Sequence, residues 1–389
     1  MSSLEGRLAA ADLVAPRYDE NHLGLVLPAL ADAMGAGGGP LDAAARARLG
    51  IAQAERCVVV LVDGLGRRNL AERAGHAPFL RSLLASDSTG LVSSFPTTTA
   101  TALGLFGTGQ AGGRTGLVGF SARNPETGGL GNFVRWEGTP EPRAWQREPS
   151  VLSGIAGRGV RVTSVGPARF AGSGLTTAVF GGATYVPVDR WSERVDAALR
   201  ALREPGLVYL YWGELDKIGH QLGWRSAEWG AALESADSEL ARLARSLPRG
   251  SNLLVTADHG MVDVDRSAQL DLAARPAIAD DVALLGGEPR AVHVYLRAGV
   301  DVGAAAERWG AELAGTAVVA SREEVLDDGW LGPVAPHVLA SVGDLVVVAR
   351  ERATVVDSRT ATPGLLRLVG VHGSLTPHEL ELPFLTVES

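Results

Sequence analysis

The run Cys57-Val-Val-Val-Leu-Val62 constrains this chain more than any other feature: six consecutive apolar residues, four of them β-branched, ending directly on Asp63. A strand this apolar has no face left for water, so it belongs inside a sheet covered on both sides. Further β-rich runs lie at residues 161–165, 207–212, 253–256, 292–296 and 345–348. They alternate with stretches of helical period at residues 67–74, 78–85, 192–203, 226–246 and 302–314. Apolar strands separated by helices predict an α/β fold with a mostly parallel sheet between helical layers. Residues 34–40 are glycine-rich and predict a loop between an N-terminal helical arm and the first strand; the arm is expected over residues 1–49 and the main domain over residues 50–389.

Composition narrows the function classes. The 389 residues are 46% hydrophobic and 21% charged, ample for a large core. Lys+Arg number 36 against Asp+Glu 44, a net charge of -8, which disfavours binding to a nucleic-acid duplex. One cysteine, Cys57, excludes an internal disulfide and a thiolate metal cluster. The first thirty residues carry Glu5, Arg7, Asp12, Arg17, Asp19 and Glu20 with no uninterrupted apolar stretch, so no secretory signal is expected. The longest apolar runs are about a quarter of a membrane span. The expectation is a cytoplasmic protein without a membrane partner; oligomeric state is not legible. Lys217 is the only lysine among many arginines, a bias read as one of coding.

In an open parallel sheet, ligands bind at the carboxyl ends of the strands. Three predicted strands deliver acids there: Val62 runs into Asp63, residues 207–212 lead to Glu214-Leu-Asp216-Lys-Ile-Gly-His220, and residues 253–256 lead to Asp258-His259-Gly260. A single strand-terminal Asp is usually a helix cap. Three on one rim, two of them followed closely by His, point instead to a metal centre of carboxylate and imidazole ligands. Asp216 and His220 are four apart, so one helical turn aims both at one ion. His372, in Gly370-Val-His-Gly373, is a further candidate. His22, His76 and His337 read as surface or packing residues; His293 and His378 lean structural. Phe120, Phe133, Trp136 and Trp212 are candidates for a pocket wall or for the core.

A hydroxyl cluster, Phe95-Pro-Thr97-Thr98-Thr99, opens an Ala/Leu run of helical character that ends at Thr108-Gly109. Such a position commonly caps a helix, and it also favours a bound anion. Other motifs fail. Val62-Asp-Gly-Leu-Gly66 lacks the third glycine of a dinucleotide fingerprint, since position 69 is Asn69. There is no phosphate-loop lysine and no Gly-x-Ser-x-Gly elbow.

Assembled in order, these blocks resemble the alkaline phosphatase superfamily, and within it the type I phosphodiesterase/nucleotide pyrophosphatase family, over roughly residues 56–385. The resemblance implies an alkaline-phosphatase-like three-layer α/β/α sandwich, with a smaller cap contributed by about residues 265–345. It implies two zinc ions, with manganese as the alternative: one held by Asp216, His220 and His372, the other by Asp63, Asp258 and His259 with the nucleophile oxygen. By register to Thr108-Gly109 the nucleophile is Thr99, with Thr98 and Thr97 as fallbacks. The implied activity is a phosphodiesterase or nucleotide pyrophosphatase acting on a small phosphate ester or nucleotide through a phospho-threonine. The chain departs from the family pattern at Ala100-Thr101-Ala102, where an aromatic and Pro-Asn are usual, and at Thr115-Gly116 in place of His-Gly. A metal-dependent phosphomonoesterase is the main alternative; a phosphomutase and a catalytically silent binding protein rank behind it. A sulfatase is excluded, because Cys57 is followed by Val-Val-Val.

Overall fold

The computed structural model describes residues 3–87 and 89–389. Five strands of the central sheet come in the first part of the chain, between short two-stranded pairings: β1 (Arg56–Val62), β2 (Val162–Gly166), β3 (Thr184–Pro187), β4 (Gly206–Trp212) and β5 (Ser251–Thr256). A second group follows, β6 (Val282–Glu288), β7 (Ala291–Leu296), β8 (Ala317–Ser321) and β9 (Leu345–Ala349), and then β10 (Leu385–Glu388). The central sheet has the order β10-β5-β1-β4-β2-β3. Its members pair in parallel, except β10, which is antiparallel to β5. This is a mixed α/β fold with a mostly parallel central sheet.

Register decides where the acids emerge. Val62 pairs with Trp212, and Leu61 with Thr256, so β1, β4 and β5 end at one level. Asp63, the helix Glu214–Leu222 and Asp258 therefore leave the sheet along one rim.

Two runs expected in the parallel sheet, residues 292–296 and 345–348, belong instead to a separate antiparallel sheet of order β6-β7-β9-β8. The cause lies in its two-sided packing. Val292, Val294, Val319, Leu345 and Val347 face Trp309 and Leu313 of the segment around the helix Val302–Glu312, forming a core of their own. The alternate residues Ala291, Val318, Ala320, Val346 and Val348 join the main core. Both faces are apolar, so sequence pattern does not distinguish this sheet from a buried parallel one. Strands β3, β6, β8 and β10 were not anticipated.

At the other end of the chain, Leu4, Leu8, Leu23, Val26, Leu27 and Leu30 are buried in the main core. Arg7 Nη1 donates to the Val319 carbonyl at 2.6 Å, tying the helix Leu4–Ala9 to β8. Among the described residues no helix is long and apolar enough to cross a membrane.

Candidate metal centre

Asp63 follows β1 and sits 3% exposed, held by the turn at Gly64. Gly64 has φ +76°, and a Cβ there would lie 3.1 Å from Asp216 Cα. The turn after β5 is tighter still: a Cβ on Gly260 would lie 1.8 Å from the His378 carbonyl oxygen. Glycine is thus the residue that lets Asp258-His259 fold back under the rim. Asp258 Oδ1 accepts from the backbone N–H groups of Gly64 at 3.2 Å and His259 at 3.0 Å, leaving Oδ2 toward the cluster.

Three imidazoles are aimed in the same manner. Nδ1 of His220 lies 2.8 Å from the Gly370 carbonyl, Nδ1 of His372 2.8 Å from the Thr97 carbonyl, and Nδ1 of His259 3.1 Å from the Gly260 carbonyl. A carbonyl only accepts, so each Nδ1 carries the proton and each Nε2 presents a lone pair. Those lone pairs converge on carboxylates. His220 Nε2 and His372 Nε2 stand 3.3 and 3.6 Å from Asp216 Oδ1, and His259 Nε2 stands 3.5 and 3.4 Å from Asp63 Oδ1 and Asp258 Oδ2.

Two groups have ligand atoms that all lie within 4.8 Å of one another: Asp216, His220 and His372, and Asp63, Asp216 and His259. Asp216 belongs to both, which its i, i+4 spacing to His220 does not disclose.

The donor set fits cations. Asp63 Oδ1, Asp216 Oδ1 and Asp258 Oδ2 are buried with no hydrogen-bond partner among the described residues. His220 Nε2 and His372 Nε2 face each other at 3.3 Å with both Nδ1 positions protonated, lone pair against lone pair. Without positive charge between them such groups repel. Burial, then the neighbouring Asp258 and Asp216, pushes the Asp63 carboxyl well above the usual carboxylate range. Burial, then His259 and His220, pulls the His372 imidazole well below its ordinary value. Both shifts come first from burial and then from like groups crowded at one point.

The hydroxyl cluster separates into distinct roles. Thr97 Oγ1 donates to the Ser374 carbonyl at 2.8 Å and accepts from Gly373 N–H at 3.0 Å, so it is committed to holding the His372 loop. Thr98 is buried and is the residue preceding the helix Thr99–Thr108. Thr99 is partly exposed at the first position of that helix, its Oγ1 3.2 Å from His259 Nε2. All seven site residues expected from sequence are therefore brought together.

The other expectations divide. His293 is buried, with Nε2 2.8 Å from the Val118 carbonyl and Nδ1 accepting from Gly343 N–H at 3.0 Å, a structural role. His378 pairs with Glu72 at 2.7 Å, outside the cluster. Trp212 stacks on Trp191 at 3.5 Å between ring centroids, and Phe133 packs on Trp145 at 5.1 Å, so both are core residues. Phe120 borders a groove beside β6. The wall beside Thr99 is made by residues sequence reasoning missed. A cavity of about 220 Å³ there is lined by Asp63, Thr99 and Asp216 and by Tyr185, Tyr211, Phe170, Arg169 and Lys217. Tyr211 also donates its hydroxyl to Asp63 Oδ2. Its place near the end of a predicted rim strand was the available signal.

Behind His372 the second sheet reaches in. Arg290, in the turn between β6 and β7, makes a bidentate pair with Glu379 at 3.1 and 2.7 Å, both side chains fully buried. Glu379 also accepts from Ser374 N–H at 2.9 Å and from the Thr376 hydroxyl at 2.5 Å. The pair fastens the loop that carries His372.

Comparison with known proteins agrees with this arrangement. Human ectonucleotide pyrophosphatase/phosphodiesterase family member 7 is 34% identical over 91 residues, 22% of this chain and 20% of that protein. The rat protein of the same name is 33% identical over the same length. The matched stretch thus spans about a fifth of these curated relatives. Among solved structures, murine ectonucleotide pyrophosphatase/phosphodiesterase 5, in an inactive form in complex with AMP, superposes with a TM-score of 0.68 at 18% identity, covering 86% of this chain and 88% of that one. Phosphonoacetate hydrolase from Sinorhizobium meliloti 1021, in complex with phosphonoacetate, gives 0.64 at 22% identity, covering 85% and 89%. Both share the fold. The family model for type I phosphodiesterase / nucleotide pyrophosphatase matches residues 57–375, and the chain belongs to that family.

Proposed function

We propose that this chain is a metal-dependent phosphoric ester hydrolase, a phosphodiesterase or nucleotide pyrophosphatase that works through a phospho-threonine on Thr99. The observation that carries the reading is the convergence of three imidazole lone pairs and three partnerless carboxylate oxygens beside a hydroxyl at a helix start. Family membership supports the reaction class, and the structural neighbours bound to AMP and phosphonoacetate support a small phosphoryl ligand.

Asp216, His220 and His372 would hold one ion, and Asp63, Asp258 and His259 the other; Asp216 also lies in reach of Asp63 and His259. We assign zinc, which suits this oxygen and nitrogen set, with manganese as the alternative that metal analysis decides. Ions so placed supply charge neutralisation and a lowered pKa for a hydroxyl beside them. The protein's own part is positional. The Thr97 carbonyl and the Gly370 carbonyl fix the rings of His372 and His220, and Tyr211 fixes Asp63. Thr99 Oγ1 lies 3.2 Å from His259 Nε2, at the edge of the proposed ion site, and the N–H groups at the start of the helix Thr99–Thr108 would face the phosphoryl oxygens. Thr99 Oγ1 forms the bond to phosphorus as the ester oxygen leaves, and water then cleaves the phospho-threonine to restore the hydroxyl.

We also propose that the antiparallel sheet of β6 to β9, which begins in the stretch expected as a cap at residues 265–345 and runs on to Ala349, borders the site as such a cap. Its Arg290–Glu379 pair supports this. The arm of residues 1–49 would serve as a brace for the catalytic core of residues 50–389.

The test compares hydrolysis of bis-p-nitrophenyl phosphate and p-nitrophenyl phosphate by zinc-loaded protein, with Thr99→Ala and chelator controls. Faster diester cleavage that Thr99→Ala and chelator both abolish supports the reading. Preference for the monoester moves the assignment to a phosphomonoesterase, and turnover retained by Thr99→Ala removes the phospho-threonine.

A further inference from the structure

The cavity beside Thr99 has an unusual division of labour. Its walls are aromatic, from Phe170, Tyr185 and Tyr211, and its acids are Asp63 and Asp216, both assigned to the ions. Two cations complete the lining, Arg169 and Lys217, both exposed. Among the described residues neither pairs with a carboxylate, whereas Arg194 nearby lies 3.8 Å from Glu214. Arg169 instead lies over the Phe170 ring at 4.5 Å, and acts on Glu214 only at longer range. Lys217 is the chain's one lysine, and it stands next to Asp216 on the helix Glu214–Leu222.

We propose that Arg169 and Lys217 select substrates by a second anion, a carboxylate or phosphate on the phosphorus substituent that enters this cavity. This inference rests on the hydrolase reading and adds the substrate class to it. The physical argument is one of division. The ions and the helix start answer the charge of the reacting phosphoryl group, so two further cations beside an aromatic wall have no task there. Neither cation has a carboxylate partner among the described residues, so an anionic substituent that enters this cavity would be the counter-charge both lack. The aromatic faces accept the planar or apolar body that carries the anion. Because both cations are solvent-exposed, the effect is one of moderate selectivity, about tenfold, rather than absolute discrimination.

The decisive pair of substrates is 4-carboxyphenyl 4-nitrophenyl phosphate and its methyl ester, nearly equal in shape and different in charge. Wild-type zinc-loaded protein should favour the carboxylate by about tenfold in kcat/KM. Lys217→Met and Arg169→Gln should each lower that ratio about threefold, the double variant should bring it near one, and Lys217→Arg should restore most of it. A wild-type ratio at or below one, or a ratio that both variants leave intact, overturns the proposal. Titration calorimetry with 4-carboxybenzylphosphonate and its methyl ester repeats the comparison without turnover. If neither diester is cleaved yet the charged phosphonate binds more tightly in a Lys217-dependent manner, the hydrolase reading fails and the anion site stands. Equal binding of the two phosphonates overturns the site. Replacing the carboxylate by a second phosphonate then separates the two anions: a larger Lys217-dependent gain identifies phosphate, a smaller one carboxylate.

Discussion

The two larger sheets of this molecule are both built on apolar strands and do different work. In the central sheet, β1, β4 and β5 run parallel, so each leaves by the same edge, and the register of Leu61 with Thr256 and Val62 with Trp212 levels those exits to within a residue. Acids placed after each strand meet there whatever their distance in sequence. In the sheet of β6 to β9 the strands alternate in direction and their ends are split between two edges. Such a sheet cannot gather ligands at one rim. It contributes a hairpin turn, and that turn places Arg290 behind the His372 loop. Direction of pairing, more than composition, decided which sheet carries the chemistry.

The sharpest way to break this contrast is at the rim. Thr99→Ala should reduce turnover by more than about 10³-fold while metal content stays near that of the wild type. Normal metal loading with normal turnover would mean that the rim is a binding site and the reacting group lies elsewhere.

The next largest effect belongs to the clasp between the sheets. Glu379→Gln leaves Arg290 buried without its counter-charge and should cost about 3–5 kcal/mol in urea unfolding. Arg290→Met combined with Glu379→Leu should recover much of that stability while activity stays low, since the His372 loop loses its fastening. A loss below about 1 kcal/mol for Glu379→Gln would show that the second sheet does not brace the centre.

A third test concerns the second sheet alone. Burial brings His293 down to about 4, and its ring accepts from Gly343 while donating to Val118, so the neutral form is the one the fold holds. The folded pKa lies below the unfolded one. The stabilisation is therefore present above about pH 6.5 and is lost as pH falls through about 4, amounting to about 3 kcal/mol. His293→Gln should unfold with a shallower dependence on pH between 7 and 4 than the wild type; parallel curves would remove His293 as the acid-sensitive tie.

The smallest effect is expected at Tyr211. Tyr211→Phe removes the hydroxyl that Asp63 accepts, and metal affinity measured by chelator competition should weaken by about tenfold. An unchanged affinity would mean that the Gly64 turn alone orients Asp63.

Sequence by itself determined which side chains gather at the rim as candidate metal ligands, because those residues are constrained locally. Asp63 ends an apolar run, Asp216 and His220 share a helical turn, and Asp258-His259-Gly260 needs a glycine to fold back, so short-range chemistry left its trace in spacing. The parallel sheet was legible for the same reason, from the alternation of β-branched and helical stretches. Only the tertiary structure decided that residues 292–296 and 345–348 form a second sheet, since two-sided burial writes the same pattern in either pairing. It alone made Asp216 common to both ligand groups, joined Arg290 to Glu379 across 89 residues, and built the cavity wall from Arg169, Tyr185, Tyr211 and Lys217. Tyr211 and Lys217 flank one strand end, but Arg169 and Tyr185 come from other stretches of chain, and no local rule ties those to the rim. Their meeting is a consequence of strand order, which emerges only when the whole core packs.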